Sequence, residues 1–203
     1  NKKSFLTAST LALAISTATT AVYSAELEEI IVTAQKRAES LQDVPISMSA
    51  LSGSTIKDNG IHSFQDLSGY VPNLEIAENA VNTIITMRGI GIGSNQSFEQ
   101  SVGIYVDGVH FGKSRQVRSG LFDVEQVEVL RGPQGILFGK NTLAGAINVT
   151  TASANVGDEF SGGIDVSQES YNGQIVDAHI AGSVTDNLAL RFAIRDRTRD
   201  GHI

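Results

Sequence analysis

Four sets of residues in this 203-residue chain have types and spacings that invite a chemical reading. The first is Gly135, Gly139, Lys140 and Asn141. A glycine-rich turn can cradle phosphates on its backbone N–H groups, with a Lys and a Ser or Thr completing the site. Here only three residues separate the two glycines, and Asn141 stands where a hydroxyl is needed. The second is Arg88-Gly89-Ile90-Gly91-Ile92-Gly93. Ser94 occupies the third-glycine place of a dinucleotide fingerprint, so the glycines read as a tight loop. The third is His62, His110, His179 and His202, which are too far apart for metal-ligand spacing. The fourth is the acid pair Glu125 and Glu128, read as solvated strand-edge residues. The chain has no Cys, which removes a thiol nucleophile, a Cys-ligated zinc and a disulfide framework together. With no nucleophile–base set in view, the expectation is a protein that is not an enzyme and needs neither cofactor nor metal.

The remaining chemistry is recognition. Glu29-Ile30-Ile31-Val32-Thr33-Ala34 is a short β-branched run in a polar tail. Such a run can add its backbone to a partner as an extra strand, with nothing nearby expected to compete. The alternative is that it forms the first strand of the domain that follows. Gly91 to Gln100 is a polar, glycine-rich loop between two expected strands. Gln96 and Phe98 are its candidate ligand contacts, and plain loop residues are the alternative.

The elements around these residues divide the chain. Residues 1–25 read as an export signal. Lys2 and Lys3 precede an uncharged run with an apolar middle, Ser24 and Ala25 are small, and Glu26 is the first acid. Cleavage after Ser24 or Ala25 fits. Seven Ser or Thr between Phe5 and Val22 dilute that run too far for a stable membrane span. Residues 26–43 form a charged tail, 44–152 a mixed glycine-rich domain, and 153–203 a set of β-hairpins.

In the middle part, strands are expected over Val44 to Leu51, Ile84 to Arg88, Val102 to Val106, Val109 to Phe111, Val127 to Arg131 and Ala146 to Thr151. Short helices are expected over Thr55 to Asn59 and Ser63 to Tyr70, with Ser63 as N-cap. Asp107-Gly108 is a strong hairpin turn. In the last part, residues 160–168, 174–184 and 188–195 alternate with a period of two, with turns at Asn172-Gly173 and Asp186-Asn187. Three strands of about ten residues with one apolar face match membrane-crossing β-strands. A charge facing lipid at the midplane costs roughly 2–4 kcal/mol. Arg191 and Arg195 are therefore expected to face inward, and Leu190, Phe192 and Ile194 outward. Three strands cannot close a barrel, so the chain is expected to be a piece of a longer one.

Composition agrees. Charged residues are 18% and hydrophobic residues 41%, the net charge is −7 and the pI about 5.0. That balance argues against long-range disorder, and an acidic chain without a basic block argues against a nucleic-acid partner.

The run Val124-Glu125-Gln126-Val127-Glu128-Val129-Leu130-Arg131-Gly132-Pro133-Gln134-Gly135 resembles the plug signature of TonB-dependent outer-membrane receptors. Its continuation, Ile136-Leu137-Phe138-Gly139-Lys140-Asn141-Thr142-Leu143-Ala144-Gly145-Ala146-Ile147-Asn148-Val149, does too. Asp66-Leu67 with Pro72-Asn73, Ile85-Thr86-Met87-Arg88-Gly89, and Val102-Gly103-Ile104-Tyr105-Val106-Asp107-Gly108-Val109 follow in the family's order. The resemblance implies an α+β plug domain followed by the first antiparallel strands of a 22-stranded transmembrane β-barrel, incomplete in this chain. It implies that Glu29, Ile30, Ile31, Val32, Thr33 and Ala34 form a TonB box that pairs with an energy-transducing TonB-type partner in the periplasm. It implies that Arg88 and Arg131 lock the plug to acidic residues on the barrel wall, against the plainer reading of two exposed arginines at strand ends.

The expected function is energy-coupled uptake of a scarce external ligand, by family prevalence a ferric siderophore or other iron complex. The barrel would contact lipid of a Gram-negative outer membrane, with the N-terminal tail in the periplasm. Alternatives are a vitamin, haem, nickel or carbohydrate transporter, or an exported plug-like binding module without transport. Continuation of the reading frame into a barrel separates the transporter from the module.

Overall fold

The computed structural model describes residues 30–33, 36–79, 82–91 and 99–200. The expected signal segment, together with Glu29, Ala34, Gln96 and Phe98, lies outside the described residues.

The tail forms a small hairpin, β1 (Ile31–Val32) with β2 (Glu39–Ser40). Next come β3 (Met48–Ser52) and α1 (Gly53–Asp58), whose N-cap Ser52 accepts from Thr55 N. A 3₁₀ turn follows at Gln65–Gly69. The hairpin β4 (Leu74–Glu78) and β5 (Thr83–Met87) stands apart from the main sheet. Then come β6 (Val102–Val106), β7 (Val109–His110), a 3₁₀ turn at Ser114–Ser119, β8 (Val124–Arg131), α2 (Gly135–Phe138) and β9 (Gly145–Thr151). The main sheet has the order β3-β8-β9-β6-β7, with β6 and β9 parallel and the other neighbours antiparallel.

Strand periodicity explains the packing. Val127 and Val129 of β8 and Ile147 and Val149 of β9 enter the main core with Ile56, Leu67, Ile85 and Met87. Leu130 and Ala146 point to the other face and pack with Tyr105, Ile46, Met48 and Phe138. The two central strands are thus covered on both faces. Asp107 and Gly108 take φ of 49° and 79°, as a two-residue hairpin turn requires. The Asp107 carboxylate also accepts from Thr151 N at 2.9 Å and Thr151 Oγ1 at 2.8 Å, which ties the hairpin to the end of β9.

Some expectations shift. The second helix is a 3₁₀ turn with Phe64 at its N-cap. Ser63 still stabilises the entry, because its N and Oγ both donate to Asp66 Oδ2 at 2.8 Å. β4 was not among the expected strands, although Leu74 and Ile76 are buried and Glu75 is exposed, a period of two. Pro72 and Asn73 set the turn before it, and Asn73 takes φ 61°.

The last part is a meander of β10 (Ser161–Glu169), β11 (Gly173–Thr185) and β12 (Leu188–Thr198). The first turn centres on Tyr171 and Asn172 (φ 62° and 54°), one residue earlier than expected. Ile164, Phe192 and Ile194 are 75%, 65% and 56% exposed on one face. Arg191 and Arg195 lie on the opposite face against the loop before β8, in the expected orientation.

Gly145 has no room for a side chain, since a Cβ there would collide with Met87 Sδ and the Leu130 carbonyl. Gly69 has nothing within 4 Å of a Cβ. Gly145→Ala is expected to cost about 1–3 kcal/mol through overpacking. Gly69→Ala is expected to change stability by less than about 1 kcal/mol. Chemical denaturation of the two variants checks the contrast.

Candidate functional site

Three neighbouring features carry the recognition chemistry: the docked tail, a pair of arginines, and a charged seam between plug and meander.

The tail strand has partners on both edges. On one edge, β1 pairs with β2 (Ile31 with Ser40, Val32 with Glu39), and Leu41 N donates to Ile30 O at 2.9 Å. On the other edge, Gln126 Nε2 donates to Ile31 O at 3.0 Å, and Thr33 N donates to Glu128 Oε1 at 2.5 Å. Lys36 N takes Thr33 O at 2.7 Å. Val32 is 1% exposed. The expectation that nothing competes for this run is therefore corrected: β2 and two side chains of β8 do. Among the described residues, the ladder of β1 is with β2 alone, and β1 does not join the main sheet.

The reading of Glu128 as a solvated edge residue is corrected too. β8 is an interior strand, and the tail closes over its polar face, leaving Glu128 1% exposed. Burial of a carboxylate is tolerated when its oxygens are satisfied. Here Oε1 accepts from Thr33 N and Oε2 from Asn148 Nδ2 at 2.9 Å. Glu125 is exposed, as expected.

Arg88 follows β5 with φ 52° and precedes Gly89 at φ 78°. Arg131 ends β8. The fold brings them together: a Cβ added at Gly132, the residue after Arg131, would lie 3.6 Å from Arg88 Nη1. Arg131 is fixed by a fork of donors. Its Nε donates to Ser47 Oγ at 3.0 Å, Nη1 to Ser49 Oγ at 2.7 Å and Nη2 to Met48 O at 2.9 Å. Partial burial, and then the positive charge of Arg88, push the Arg131 guanidinium below its ordinary pKa. Among the described residues, no carboxylate forms an ion pair with either arginine. Two like charges side by side, one of them fixed by neutral acceptors, present a ready surface for carboxylates.

The seam was only half legible, since its acids had no assigned role. Arg191 makes a two-pronged pair with Asp123 of the plug, Nε to Oδ2 at 2.8 Å and Nη2 to Oδ1 at 2.6 Å. Arg195 pairs with Asp177 on the neighbouring strand at 2.6 and 2.7 Å and reaches Leu121 O at 2.6 Å. Lys57 of α1 pairs with Asp165 at 2.6 Å. A cleft of about 420 Å³ remains between the two parts, lined by these groups and by His62 and His179. The signal for Asp165 and Asp177 was their place on the inward face of alternating strands. Asp123 and Leu121 precede β8 in a loop and carry no such signal.

The glycine-rich stretch at 135–141 forms the four-residue α2, whose Phe138 carbonyl accepts from Tyr105 Oη at 2.5 Å. No cluster of three or more His, Asp or Glu residues suited to a metal occurs among the described residues.

Removing the Glu128 carboxylate strands three donors, Thr33 N and Oγ1 on the tail and Asn148 Nδ2 on β9. A hydrogen bond to a charged group is worth about 1.5–3 kcal/mol, so tail release should rise by about tenfold or more. Maleimide labelling of Thr33→Cys in this cysteine-free chain should accelerate accordingly when Glu128 is changed to Ala. An unchanged rate would mean that the carboxylate does not hold the tail.

Comparison with known proteins agrees with this geometry. The model of the TonB-dependent receptor plug domain matches residues 40–146. A pesticin receptor of Yersinia pestis is 32% identical over 167 residues, covering 77% of this chain and 24% of the relative. An iron-regulated outer membrane virulence protein of Vibrio cholerae is 27% identical over 192 residues, covering 85% of this chain and 28% of the relative. The crystal structure of the ferric yersiniabactin uptake receptor FyuA from Yersinia pestis matches with a TM-score of 0.66 at 29% identity, covering 74% of this chain and 24% of that one. The chain thus spans about a quarter of the length of these relatives. A plug sheet seated on the charged face of a β-meander, together with a family match over more than half the residues, places this chain in the TonB-dependent receptor plug-domain family.

Proposed function

We propose that this chain supplies the plug and first wall strands of an outer-membrane receptor for energy-coupled uptake of an iron–siderophore complex. In this reading, residues 1–25 direct export, 26–43 form a periplasmic tail with the TonB box, 44–152 form the plug, and 153–203 begin a 22-stranded transmembrane barrel. The observation that carries it is the two-sided character of the meander. Its apolar face is open, and its charged face is bonded to the plug through Arg191–Asp123 and Lys57–Asp165. Exposed apolar side chains on that scale suit lipid, and inward charges suit a lumen filled by protein.

The ligand class rests on the relatives. The Yersinia pestis structure at 29% identity is a ferric yersiniabactin uptake receptor, and one relative at 29% identity is a vitamin B12 transporter of Vibrio vulnificus. Arg88 and Arg131 would meet acidic side chains of the closed wall, because no partner within the described residues neutralises them. The tail Glu29–Ala34 would pair with a TonB-type partner by strand addition. Both edges of β1 are occupied in the docked state, so pairing requires release of one of them. Ligand bound above the plug would favour release, which couples two sites through a two-state element.

The test is iron-55 uptake by a siderophore-receptor-deficient Gram-negative strain carrying the full-length gene. The iron is supplied as ferric yersiniabactin, ferric alcaligin or ferric pyoverdine, with labelled cobalamin as the competing class. Energy-dependent uptake of one iron complex is the expected result. Cobalamin uptake alone, or none from the whole panel, would overturn the iron reading. Ile31→Pro should abolish uptake and leave surface binding of the transported complex intact, since proline removes a backbone donor and cannot extend a strand pair. Unchanged uptake in that variant would remove the TonB-box assignment.

A further inference from the structure

The three side-chain hydrogen bonds of Arg131 all end on consecutive residues, Ser47, Met48 and Ser49. Its backbone N–H adds a fourth bond, to Ser47 O at 2.9 Å. Met48 and Ser49 begin β3, and Ser47 immediately precedes it. β3 is an edge strand, paired within the described sheet to β8 alone. It is also the first plug strand after the tail.

The register sets the direction in which β3 can leave. Met48 faces Leu130 and Ser52 faces Gln126, so β3 enters at the Arg131 end of β8 and runs toward the Gln126 end. The preceding tail lies over Gln126 and Glu128. The chain therefore doubles back on itself between Thr33 and Met48. A load on the tail draws Ser47 back along β8 and opens the β3–β8 ladder one pair at a time from its Arg131 end. Bonds loaded in sequence yield more easily than bonds loaded together, and the first in line are those that fix Arg131.

We propose that β3 is a clasp joining the tail to the arginine pair, with Ser47 and Ser49 as positioning residues for Arg131. Pulling the tail strips β3 from the sheet edge, and the same movement removes every acceptor that orients the Arg131 fork. Arg131 stays tethered to β8 but loses the geometry in which it and Arg88 present their charges. Release of the plug from its wall is then a consequence of the pull and needs no second signal. The inference rests on the proposed function only for the source of the load; the clasp itself is a property of the plug.

The test is constant-force extension of the full-length receptor in liposomes, held by its N-terminal tail, so that no transported ligand is needed. Leu51 and Val127 are Cα partners across β3 and β8, away from the acceptors of Arg131. In Leu51→Cys/Val127→Cys, oxidation should halt the opening after the three pairs that precede the cross-link and so shorten the extension step that follows tail release, and a reductant should restore its full length. Ser47→Ala with Ser49→Ala should make the same step about tenfold faster or more, because hydrogen bonds to a charged group are lost. That acceleration should vanish in an Arg131→Met background, which a merely structural role for the two serines would not produce. A step of unchanged length in the oxidised variant, or an acceleration that persists without Arg131, overturns the clasp. Iron-55 uptake is a separate measurement, so the functional reading and the clasp fail independently.

Discussion

The rest of the structure depends on β8 being covered on both faces. Val127 and Val129 are anchored in the main core, and Gln126 and Glu128 are anchored under the tail. Its C-terminal end holds Arg131, and the loop before it holds Asp123 and Leu121 against the meander. A strand in that position cannot slip in register. A shift by one residue would put a carboxylate into the apolar core and a valine under the tail. The contacts of the tail, of Arg131 and of the meander described above are all indexed to that one register.

The buried carboxylate of Glu128 shows how polarity serves this arrangement. An apolar side chain there would cover the sheet equally well and would give Thr33 no acceptor. A carboxylate whose Oε1 takes its hydrogen bond from the tail makes the tail's position matter energetically. That charge-assisted bond, with the Gln126 bond beside it, helps convert a two-residue strand, too short to be stable alone, into a specific docked state.

Much of this was legible in the sequence, and the remainder follows a pattern. Alternation over 160–195 is strong because one face must be apolar and the other charged, and Asp107-Gly108 is strong because few residues accept positive φ. The choice of Arg88 and Arg131 came from a family motif, and that the fold brings them together could not have been derived from spacing. The tail hairpin was missed because Glu39 and Ser40 have no strand propensity; the hairpin rests on contacts with residues about 95 positions away. Glu128 was misread for the same reason: nothing in Val124–Arg131 announces which segment covers its polar face. Ser47 and Ser49 carry no signal of their own, since a small hydroxyl beside a strand is ordinary until a guanidinium arrives from a distant part of the chain.

The seam has a consequence for the wall itself. Arg195 takes its counter-ion from Asp177 on the neighbouring strand and keeps it whatever the plug does. Arg191 takes its counter-ion from Asp123, which belongs to the plug side of the chain. An empty wall would therefore differ from a filled one by two uncompensated charges in this sector, the positive Arg191 and, with Lys57 gone, the negative Asp165. The plug is thus an electrostatic component of the wall as well as a stopper within it. A lumen vacated here would show a positive point on β12 and a negative one on β10, where the filled molecule is neutral.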